Sequence, residues 1–175
     1  QQPTWRSLRA ATEIPRALLI GLGAIATAVF GGLNISNALS GAPQWSQDLA
    51  FFQQWIHSAA SGGPWASPLI LEPQGFFEQV HTHLMLPLTV GIYRVAPSQL
   101  TLLVIHSFCV CLAIWPAMRL GDAVAGGRYA ILAALAVVCF GPFQAVAVAD
   151  FRPIGLFVPG ILGVWASAWR GSHRG

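Results

Sequence analysis

Four apolar stretches, residues 17–39, 100–118, 129–148 and 154–169, dominate the sequence and leave few folds open to it. Crossing a bilayer as an α-helix takes about 20 apolar residues. The first three stretches meet or approach that length; the fourth is shorter and carries Pro159. A helix pairs its own backbone polar groups inside hydrocarbon, so such runs predict spanning helices. The charge content agrees: 9 % of residues are charged, against about 25 % in soluble domains. The expected fold class is therefore an all-α integral membrane protein.

The basic residues set the expected topology. All nine are arginines, and the formal charge of +3 is read by their position rather than as affinity for nucleic acid. With four spanning helices and both ends inside the cell, Arg6, Arg9, Arg16, Arg119, Arg128, Arg170 and Arg174 are cytoplasmic. Arg94 and Arg152 alone are outside. The segments are then a cytoplasmic tail (1–16), the first span (17–39), an outer loop (40–99), the second span (100–118) and a cytoplasmic loop (119–128). The third span (129–148), an outer turn (149–153), the fourth span (154–169) and a cytoplasmic tail (170–175) follow. This arrangement is expected to sit in a bacterial inner membrane. A cleaved signal peptide is the competing reading of residues 1–39, but its apolar part exceeds the usual ~7–15 residues. The chain opens on Gln1 and is expected to be the N-terminal part of a longer protein. Cys109, Cys111 and Cys139 lie in apolar runs without CxxC spacing and read as small buried hydrophobes.

The apolar run 80–95 is too short to span, and Pro87 interrupts it. Placing it on the membrane surface also keeps Arg119 and Arg128 inside. The outer loop thus carries two interfacial amphipathic helices. The other has the sequence QWSQDLAFFQQW, residues 44–55. At 100° per residue, Trp45, Leu49, Phe52, Trp55 and Ile56 form one stripe, expected to lie on lipid with one edge against the bundle. Asp48 falls inside that stripe. One reading is a first-turn carboxylate that gains from the helix dipole. The other is a functional carboxylate, because an unpaired charge on an apolar face is costly. Gly141-Pro142 and Pro159 are expected to kink or interrupt their helices. His106 and Gln144, polar groups within apolar runs, are expected to bond across helices.

This order of parts resembles the membrane-embedded GT-C glycosyltransferases. It is most similar to the bacterial proteins of the domain of unknown function 2079 (DUF2079) family. QDLAFFQQW, the stretch from His83 to Pro97, and ADFRP at 149–153 carry the resemblance. It departs in having Arg152 where the family's Asp-Phe-His-Pro has histidine, and in having fewer spans. The resemblance implies sugar transfer from a polyprenyl-phosphate donor at the outer membrane face. It implies Asp48 as the catalytic carboxylate, activating the acceptor or holding a divalent metal. His83 would organise the loop or touch substrate. Arg94 and Arg152 would clamp the donor phosphate, the alternative being that they reach up to lipid phosphates. Asp150 would join them, on the rim of a cavity that Asp48 faces. A second reading, from another class, is a non-catalytic subunit packed into a larger membrane protein complex. Glu78, His81 and His83 do not share one helix face, which disfavours a zinc site. The sequence has no P-loop, GxSxG, HExxH or dinucleotide fingerprint.

Overall fold

The computed structural model describes residues 16–40, 47–64, 86–149, 151, 155 and 157–172, and every regular element among them is helical. The helices are α1 (Arg16–Leu39), α2 (Gln47–Ala60), α3 (Leu86–Val95), α4 (Gln99–Cys111), α5 (Ile114–Ala125), α6 (Gly127–Cys139), α7 (Gly141–Ala147) and α8 (Val158–Ser172). By length and composition, two segments can cross a membrane, Ile20–Leu39 and Gln99–Val124. The bent pair Tyr129–Cys139 and Gly141–Ala147 makes a third if counted as one span. Leu86–Val95 and Val158–Trp169 are shorter apolar helices. At 1.5 Å per residue, α3 is only ~15 Å long, half the hydrocarbon thickness.

Prolines set the breaks. Pro116 cannot donate to the Leu112 carbonyl four residues earlier, and the chain tightens there. Trp115 N–H donates to Leu112 O at 3.2 Å instead, and helix resumes through Arg119 to Ala125. Pro142 creates the same vacancy at Val138 O. There Phe140 is extended, the two helices bend by 65°, and the Gln144 side-chain amide donates to Val138 O at 3.0 Å. The break expected at Gly141-Pro142 is thus present, and Gln144 mends the backbone across it. Pro159 instead stands in the first turn of α8, where a missing N–H costs nothing.

α1 runs along α4, α5 and α6 form a close hairpin, α8 lies along α5, and α2 packs on α3. Two cores result. One joins Phe30, Val110, Ile114, Met118, Ala130, Ala134 and Phe143. The other joins Leu49, Phe52, Trp55 and Ile56 of α2 with Leu86, Val90, Tyr93, Leu102 and Phe151. The apolar stripe of α2 is as the periodicity predicts, and Gln54 and His57 are exposed opposite it. Its covering differs from expectation. Leu49, Phe52, Trp55 and Ile56 are each at most 7 % exposed, so the stripe faces protein across its described width rather than resting on lipid. Trp45 lies outside the described residues.

Candidate functional site

The second core organises one end of the bundle. Four aromatic rings form its centre. Phe51 meets Phe52 and Trp55 at centroid distances of 5.1 and 5.2 Å. Phe52 stacks on Trp55 at 6.2 Å and meets Phe151 edge-on at 5.9 Å. Such edge and offset arrangements suit the ring quadrupoles. Phe151 is wholly buried, and it anchors the turn after α7 against both α2 and α4, where His106 meets it at 6.3 Å.

A polar cluster fixes that same turn. α7 has seven residues, and the chain turns back on its end: Val148 N–H donates to Gln144 O at 3.1 Å and Ala149 N–H to Val146 O at 3.2 Å. Ala147 is buried, and its carbonyl without a donor would cost several kcal/mol in an apolar setting (~1–3 by protein measurements). Three side chains meet the carbonyls of Val146 and Ala147. Asn34 Nδ2 donates to Ala147 O at 3.0 Å and to Ser107 Oγ at 2.8 Å. Ser107 Oγ donates to Ala147 O at 3.0 Å. His106 Nε2 lies 2.8 Å from Val146 O, which requires the proton on Nε2. Asn34, His106 and Ser107 are all buried. The cross-helix bond expected of His106 is therefore made; Asn34 and Ser107 were missed. Their signal was a polar residue inside an apolar run, the same one that marked His106. Gly155 completes the packing: a Cβ there would stand 2.6 Å from His106 Cε1 and 3.0 Å from Nδ1.

The other end of α2 closes on Gly62, which adopts φ +79°, a conformation side chains disfavour. Gly63 N–H then reaches back to Ser58 O at 2.9 Å and Gly62 N–H to Ala59 O at 3.2 Å, a Schellman closure. Arg94, in the last turn of α3, adds its guanidinium. Nε donates to Ala60 O at 3.0 Å and Nη2 to Ala59 O at 3.3 Å. A cation there also faces the negative pole of the α2 dipole. His57 and Tyr93 meet edge-on at 6.3 Å nearby.

Of the residues singled out from sequence, Arg94 is thus placed on the end of α2. Asp48 is the second residue of α2, one turn before Phe52, and its side chain lies outside the description. His83, Asp150 and Arg152 lie outside the described residues, as does residue range 80–85 of the second loop helix. Among the described residues no three His, Cys, Asp or Glu side chains gather as a metal site would require. The described site is therefore a scaffold: it holds Phe52 of α2 and Phe151 to one another.

A family model described as a predicted membrane protein (DUF2079) matches residues 46–170. No curated protein and no solved structure matches the chain.

Proposed function

The chain belongs to the DUF2079 family of predicted membrane proteins, and from that premise we propose that it is part of a membrane-embedded glycosyltransferase using a lipid-linked sugar donor. The observation that supports this most is the Phe52–Phe151 contact at 5.9 Å. The chain beside one ring carries Asp48, and the chain beside the other carries Asp150 and Arg152. In this reading the chain crosses the membrane four times with both ends inside. α2, α3 and the turn at Phe151 then stand at the outer face.

The chemistry follows from the residue types. Asp48 takes the proton of an acceptor hydroxyl as that oxygen attacks the anomeric carbon of the donor. The bond from that carbon to the polyprenyl phosphate breaks, and the phosphate leaves with the electron pair. Arg152 and Arg94 hold that phosphate; a guanidinium has five N–H donors, and α2 engages only part of the Arg94 fork. Asp150 and Asp48 would hold a divalent metal if the reaction uses one, and His83 would orient the acceptor. The aromatic wall of Phe52 and Trp55 keeps water away, which strengthens contacts to Asp48.

The test uses the full-length protein in membranes, supplied with polyprenyl-phosphate sugars. Asp48→Asn keeps the shape and removes the base, and transfer should fall at least ~100-fold with folding intact. Undiminished transfer removes Asp48 from the chemistry. Absence of transfer by the wild type, with a stoichiometric protein co-purifying, supports the alternative of a non-catalytic subunit.

A further inference from the structure

A different feature marks the opposite end of the bundle. Two open apolar grooves flank the C-terminal half of the long α4–α5 segment. The first, ≈ 930 Å³, lies between α1 and α4–α5, with Ala24, Thr27, Phe108 and Leu112 in its walls. The second, ≈ 640 Å³, lies between α5 and α8, with Gly163, Val164 and Ala168 in its walls. Trp115 and Arg119 belong to both. They form the ridge where the grooves meet.

We propose that this paired groove is a binding site for an anionic two-chain glycerophospholipid, one acyl chain in each groove and the phosphate on Arg119. The dimensions fit. From Phe108 to Arg119 the first groove runs ~16 Å along the helix, at 1.5 Å per residue. That is one leaflet of the ~30 Å hydrocarbon layer. The cation stands at the end of the groove, where a headgroup would be. Its guanidinium stacks 4.4 Å above the Trp115 ring. Stacking on indole orients the fork and leaves its N–H edges for phosphate oxygens. Trp115 is half exposed at the same level, as aromatic residues at a membrane interface are. By chain position, α1 starts at Arg16, one turn before Ile20 of the groove, and Arg128 is the second residue of α6. The two grooves sharing one arginine select a lipid with two chains on one phosphate over a single-chain amphiphile. The inference does not depend on the transferase reading, because Arg119 and Arg94 lie at opposite ends of the α4–α5 segment.

Native mass spectrometry of the full-length protein tests it, with phosphatidylglycerol and phosphatidylcholine of identical chains. Wild type should retain phosphatidylglycerol about tenfold better, the effect of one charge-assisted pair. Arg119→Ala should erase that preference, and Arg119→Lys should restore part of it. Ala24→Trp and Gly163→Trp fill one groove each and keep the charge; each should lower retention at least about fivefold. Equal retention of the two lipids by wild type overturns the proposal, and so does an Arg119→Ala protein that still prefers phosphatidylglycerol. Unchanged retention in both filled variants overturns the two-groove assignment. If a filled variant fails to fold, the exposed Arg119→Ala substitution still decides.

Discussion

The guanidinium of Arg94 closes the helix that ends at Ala60, its Nε donating to the Ala60 carbonyl at 3.0 Å. These residues are 34 positions apart, and their contact ties α3 to α2 at the level where Gly62 turns the chain. Arg94→Ala should lower stability by about 0.5–1 kcal/mol, since the group is exposed and solvent screens it. Arg94→Glu should cost more than Arg94→Ala, because it puts a negative charge on the negative pole of α2. Thermal unfolding in one detergent measures both; equal stability of the two variants would remove the dipole from the account.

Gly155 and His106 should prove coupled. Gly155→Ala forces a methyl to within 2.6 Å of the imidazole as it now stands, an overpacking that costs about 1–3 kcal/mol. Adding His106→Ala removes the clash, so the double variant should lose less than the sum of the two single losses. A strictly additive double-mutant cycle would show that the two do not share a packing constraint.

Asn34 and Ser107 both donate to Ala147 O, so each covers for the other. Asn34→Ala or Ser107→Ala alone should cost about 0.6–1 kcal/mol, the usual size of an interhelical bond in a membrane. The double variant leaves that buried carbonyl without either donor and should lose more than the two added together. Amide exchange near residues 148–149 should rise with it.

The four-crossing topology proposed above would place residue 122 inside the cell and residue 61 outside. With Cys109, Cys111 and Cys139 replaced, Ser61→Cys should react with a membrane-impermeant maleimide in intact cells, and Asp122→Cys should not. Both positions are exposed, so burial does not decide the outcome. Labelling of position 122 from outside would reverse the arrangement.

How much of this was legible in advance differs from element to element. The apolar stripe of α2 follows from residue order alone, because a helix turns 100° per residue wherever it sits. The break at Gly141-Pro142 follows as directly, because a proline always lacks the donor that the carbonyl four residues back needs. The covering of that stripe was not legible: lipid tails and protein side chains are equally apolar, so hydrophobic pattern does not choose between them. Nor was the partner of Arg94. A guanidinium accepts as a neighbour any carbonyl or phosphate that the fold brings near, and only the pairing of α3 with α2 brought Ala59 and Ala60 within reach.

Sequence alone determined that this chain is helical and apolar enough for a membrane, because those properties are local and sum along the chain. Tertiary structure decided what met what. It brought Phe151 from the turn after α7 onto Phe52, 99 positions earlier, and supplied the terminal carbonyls of α7 with Asn34, His106 and Ser107. Such bonds depend on distance in space, and that is fixed only when separate helices settle against each other.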